Sequence, residues 1–108
     1  MNDNKVLTLI KHKGRARQWE QQDFFYNDDE SPSGSELREM VGGYLELVNV
    51  IFENRTCQAI INENGKLDNL PVNYEATRMY RNWLNENGFH ADDVIVGNMA
   101  IMTNFDLD

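Results

Sequence analysis

The sequence predicts an α+β domain, a mainly antiparallel sheet of four to five strands with two helices packed on one face. Three observations predict it. Two aliphatic and β-branched runs, Tyr44–Phe52 and Thr56–Asn62, flank the turn Glu53-Asn54-Arg55 and read as a hairpin. In Tyr74–Glu86, the residues Ala76, Met79, Tyr80, Trp83 and Leu84 recur at i, i+3, i+4, i+7 and i+8, the stripe of an amphipathic helix. Ser33-Gly34-Ser35-Glu36 has the Ser-x-x-Glu form of a capping box and opens a shorter helix.

The elements follow in order. Lys5–His12 is short, aliphatic and β-branched, so it reads as a first strand, broken by Gly14. Arg15–Tyr26 carries Trp19, Phe24, Phe25 and Tyr26 and reads as a second strand returning beside the first, with a short helix as the competing reading. Residues 27–35 form a loop by composition. Its acids Asp28-Asp29-Glu30 are consecutive, whereas a calcium loop needs alternating oxygen ligands and a closing bidentate acid. The first helix runs to about Met40 or Val41 and presents Leu37, Met40 and Val41 on one face, with Gly42 as its left-handed terminator. Past the hairpin, Asn64-Gly65 suits a tight turn with positive φ, after which Lys66-Leu67 reverses the chain. Leu70-Pro71 ends that excursion and Asn73 caps the second helix, which Gly88 stops. Asp92–Thr103 reads as the last strand, bent or bulged at Gly97, and residues 104–108 as an acidic tail.

A chain of 108 residues is one domain's worth, here 1–108 with an ordered core over 5–103. Apolar residues make up 41% and charged residues 26%, which places it among soluble globular proteins. No apolar run approaches the ~20 residues that span a bilayer, no secretory signal is expected, and a lone Cys57 forms no internal disulfide. A cytoplasmic setting is the expectation. The formal charge is −8, unevenly spread: residues 1–18 hold five basic residues against Asp3, a net +4, leaving −12 on the rest. An acidic body repels nucleic-acid phosphates and favours basic partners, so direct DNA binding is disfavoured.

The segments Val41-Gly42-Gly43-Tyr44 with Glu46, Asn62-Glu63 with Gly65-Lys66-Leu67, Leu70-Pro71 with Asn73, and Ile95-Val96-Gly97-Asn98 together resemble an uncharacterised small-domain family. That family is found in bacteriophages, plasmids and other mobile elements, mainly in Gram-positive hosts. The resemblance covers about Lys5 to Met102. It implies a fold and a genomic setting, with no established activity. Small accessory proteins of such elements often inhibit host defence, an association of setting rather than of chemistry.

Candidate binding residues fall in two groups. Lys11, Lys13, Arg15 and Arg17 form a basic run beside Trp19, suited to the phosphates of a small nucleotide or an acidic patch on a partner or second subunit. Asn62, Lys66 and Asn98 are polar residues of the motif segments. Lys66 reads as a solvated lysine or an anion contact. Asn98, mid-strand beside Gly97, reads as a clip between the 62–73 loop and the sheet, or as a hydrogen-bonding group for a ligand. Gly42-Gly43 ends a helix and starts a strand, the reverse of a phosphate-cradling loop. His12, His90 and Cys57 are scattered, without the short spacings of metal ligands or a nucleophile and base. No catalysis, cofactor or metal is therefore expected. The leading expectation is an anti-defence protein that binds a host protein, such as a nucleic-acid-binding defence protein, through its acidic surface. The alternatives are a sequestering protein for a nucleotide signal and a structural or regulatory oligomerisation module.

Overall fold

The strand nearest the C-terminus lies at the centre of the sheet. The computed structural model describes residues 5–13, 17–90 and 92–105. Its strands are β1 (Lys5–His12), β2 (Trp19–Tyr26), β3 (Leu45–Phe52), β4 (Arg55–Asn62) and β5 (Met99–Thr103). Its helices are α1 (Gly34–Val41) and α2 (Tyr74–Glu86). The sheet order is β2-β1-β5-β4-β3, and every neighbouring pair is antiparallel. The fold is α+β, as the sequence predicts. β5 joins the two hairpins, pairing Leu9 with Ala100 on one side and Ala100 with Ile60 on the other. Met99, Ala100 and Ile101 are fully buried as a result.

The helices lie on opposite faces, which corrects the expectation of a single covered face. Leu7, Leu9, Ile60, Ala100 and Met102 pack with Leu37 and Val41 of α1. The alternate residues Ile10, Ala59, Ile61, Met99 and Ile101 pack with Ala76 and Met79 of α2. Side chains alternate across a strand, so these are the two sides of one sheet. The cause is in the three central strands. β1, β4 and β5 are apolar at successive positions, and both of their faces need cover.

The local signals hold. Ser33 Oγ accepts from the Glu36 amide at 3.1 Å while Glu36 Oε1 accepts from the Ser33 amide at 3.4 Å, completing the capping box. Gly42 closes α1 at φ 86°, where its amide donates to the Arg38 carbonyl at 2.7 Å. Glu53 and Asn54 take φ of 51° and 65° in the β3–β4 turn, the left-handed pair of a tight hairpin. The second strand forms at Trp19–Tyr26, while the expected break at Gly14 lies outside the described residues.

Two boundaries differ. β5 begins at Met99 rather than Asp92, because Gly97 turns the chain at φ 75° and the stretch before it runs under α2. The expected acidic tail starts with an anchor: Phe105 packs against the α1-side core and meets the Tyr26 ring edge-on at 5.6 Å. Residues 106–108 lie outside the described residues.

Candidate functional site

Most of the distinctive motif residues form a clasp that closes the fold. Asn73 is fully buried. Its Oδ1 accepts from the Ala76 amide at 3.1 Å, capping α2, while its Nδ2 donates to the Ile10 and Gly97 carbonyls, each at 2.9 Å. One side chain thus joins α2, β1 and the segment entering β5. Thr77, one turn into α2, repeats the device: its hydroxyl accepts from the Ile95 amide at 2.9 Å and donates to the Ile95 carbonyl at 3.2 Å. Asn98 works on the opposite face. Its Nδ2 donates to the Met40 carbonyl at 3.0 Å and its Oδ1 accepts from the His12 amide at 3.3 Å, tying the end of α1 to the end of β1. It fastens α1, therefore, in place of the 62–73 loop.

Asn62 and the glycines act through close approach. Asn62 is buried, and its Oδ1 accepts from the Asn64 amide at 2.9 Å. A Cβ on Gly43 would come within 2.8 Å of the Asn62 side-chain amide, which would have to shift to admit it. Gly65 lies outside the left-handed region, contrary to the tight turn with positive φ expected at Asn64-Gly65. Its requirement is space, since a Cβ there would lie 2.7 Å from Val96 Cγ2. Gly65→Ala is accordingly expected to lower stability by about 1–3 kcal/mol, the usual range for overpacking. Adding Val96→Ala should recover part of that loss, and urea unfolding midpoints of the single and double variants will measure it.

Two cations of the basic run share one carboxylate. Lys11 and Lys13 both face Glu20 on β2, with ammonium–carboxylate distances of 3.5 and 3.0 Å. The Lys13 hydrogen bond and charge, with a smaller contribution from Lys11, hold the Glu20 carboxyl below its ordinary pKa. Arg17 takes φ 63° and lays its guanidinium 5.6 Å from the Tyr74 ring centroid. Trp19 pairs with His12 and is 40% exposed. Arg15 lies outside the described residues. Lys11, Lys13 and Glu20 are brought together; Asn62, Lys66 and Asn98 are distributed among separate contacts.

Lys66 lines a cleft of about 220 Å³ between the 62–67 turn, the ends of β3 and β4, and α2. Val48, Ile61 and Ile95 line it with apolar surface, and Tyr80 adds an aromatic wall. Lys66 pairs with Asp93, which holds the Asp93 carboxyl below its usual range. Arg81 fixes the same segment by donating to the Asp93 carbonyl at 2.8 Å and the Asp92 carbonyl at 3.2 Å. Glu46 and Glu63 also line the cleft, both exposed and neither in an ion pair among the described residues. Burial pushes the Tyr80 phenol pKa up, and the charges of Asp93 and Glu46 push it further, so the phenol faces these acids as a neutral group. The cleft was missed at the sequence level because its carboxylates come from three separate segments and share no motif.

The thiol and imidazoles stay apart from this cleft. Cys57 is buried on β4, where desolvation raises its pKa and Arg55 opposes the rise. His90 is exposed beside Asp92 at 3.8 Å. Among the described residues no group of three or more His, Cys, Asp or Glu side chains is arranged to hold a metal ion. No described helix is long and apolar enough to cross a membrane.

No curated protein and no solved structure matches the chain. A family model does, the domain of unknown function DUF3846, over residues 5–106, which takes in all five strands, both helices and the clasp. The chain belongs to the DUF3846 family.

Proposed function

We propose that the protein is a non-catalytic binding protein of a phage or mobile element. It blocks a bacterial defence protein by occupying a basic, nucleic-acid-binding surface in the host cytoplasm. The supporting observation is how its charges are engaged. Among the described residues, Lys or Arg ion pairs involve three carboxylates, those of Glu20, Glu75 and Asp93. Other cations serve the fold without neutralising an acid. Lys5 donates to the Asp28 and Glu30 carbonyls at 2.7 and 2.8 Å, Arg81 donates to carbonyls, and Arg38 lies over the Tyr44 ring. Exposed acids such as Asp28, Asp29, Glu39, Glu46, Glu53, Glu63, Asp68 and Glu86 therefore project an uncompensated negative field. Such a field steers association with a positive channel and competes with the phosphates that channel normally receives.

The nucleotide-sequestering reading has less support, since the lysines it would use already face Glu20. Affinity capture from the host, with mass spectrometry of both proteins and small molecules, separates the two. A basic, nucleic-acid-binding protein released by salt is the expected result. A stoichiometric ultraviolet-absorbing ligand with no protein partner would replace this proposal with the sequestering one.

A further inference from the structure

The cleft beside Lys66 has a chemistry that the rest of the acidic surface lacks. Its carboxylates Glu46, Glu63 and Asp93 outnumber its one cation, Lys66, leaving a net charge of −2. Lys66 is already held by Asp93, so the two uncompensated groups are Glu46 and Glu63. An anion entering here would meet both of them. A plain apolar group would leave both without a counter-charge. A purely polar occupant would leave the apolar surface of Val48, Ile61 and Ile95 uncovered. The occupant that satisfies both is a long side chain with an apolar stem and a cationic head.

Size and shape narrow the choice. About 220 Å³ is below the roughly 300–1,000 Å³ of pockets that hold whole small-molecule ligands. It suits one inserted side chain. The Tyr80 ring in the lining favours a planar cation that can stack on an aromatic face. Glu46 lies across from Ile61, and Glu63 follows two residues on with its amide bonded to the Tyr44 carbonyl, so both carboxylates stand on one face of the β3–β4 ladder and suit a fork of N–H donors. A lysine ammonium supplies neither feature.

We propose that this cleft receives an arginine side chain from the basic surface of the protein partner, its guanidinium held by Glu46 and Glu63 and stacked on Tyr80. The inference rests on the proposed capture of a basic protein and names the contact that anchors it. Glu46 and Glu63 are both exposed, so replacing them leaves the core intact.

The test needs no partner. N-acetyl-arginine amide is titrated into isotope-labelled protein and followed by nuclear magnetic resonance, with N-acetyl-lysine amide as the comparison. Saturable shifts should concentrate on the methyls of Val48, Ile61 and Ile95 and on the Tyr80 ring. The arginine compound should bind more tightly than the lysine one. The Glu46→Gln/Glu63→Gln double variant should keep the wild-type spectrum elsewhere and weaken arginine binding by about tenfold or more, as expected for lost charge-assisted hydrogen bonds. Shifts scattered over all surface carboxylates, equal binding of the two compounds, or an unaffected double variant would each overturn the inference. Those results would leave salt-sensitive capture of a basic protein standing. Cleft-localised arginine binding without any captured basic protein would instead sink the functional proposal.

Discussion

Asn73→Ala is expected to destabilise the protein by about 3 kcal/mol. The loss has two parts. Removing an N-cap side chain from α2 costs about 1 kcal/mol. The larger part comes from the Ile10 and Gly97 carbonyls, which lose their Asn73 Nδ2 donor inside the core. Leaving a buried acceptor unmet costs about 1–3 kcal/mol. Asn73→Asp separates the parts. It restores an oxygen to cap α2 but offers no amide donor and sets a carboxylate against two carbonyl oxygens. It should rescue none of the loss at neutral pH. Urea denaturation of both variants measures this directly. An Asn73→Asp protein as stable as wild type would show that the cap alone matters and that the clasp to β1 and β5 does not.

Leu7→Ala and Ile10→Ala should each cost about 2–5 kcal/mol, the range for large-to-small changes in a closed core. Both side chains are fully buried, yet they point to opposite faces of β1. Leu7 lies under α1 with Met102 directly across, and Ile10 lies under α2 with Met99 across. A sheet with both helices on one face would show a large loss for one of the pair and a small one for the other. Comparable losses in thermal or urea unfolding are the result expected from two covered faces.

The contrast between what the sequence discloses and what it hides follows from the range of each interaction. The capping box at Ser33, the Gly42 terminator, the Asn73 cap and the 53–54 turn were legible because each is made by residues within a few positions of one another. The stripe Ala76–Met79–Leu84 was legible for the same reason: periodicity is local. The placement of α1 was not, since an apolar stripe says that a helix is covered without saying by which face of the sheet. The successive apolar positions of β4 and β5 carried that information, in the form of strands buried on both sides. Gly65 suggested a turn conformation, yet its neighbour across space, Val96, sets its identity. Asn73 and Asn98 were distinctive in sequence because they are clasp residues, and Asn62 because it holds the turn that follows β4. Glu46 and Glu63, ordinary in sequence, line the cleft to which a partner's cation is assigned.

A structural clasp and an acidic binding surface are separable, and the central functional claim concerns the surface. The most direct measurement is the association rate of the purified protein with its captured partner as a function of salt. Between about 0.01 M and about 1 M ionic strength, the screening length falls from roughly 30 to roughly 3 Å. An electrostatically steered complex should slow by about tenfold or more over that interval. A rate that stays constant across it would contradict the account.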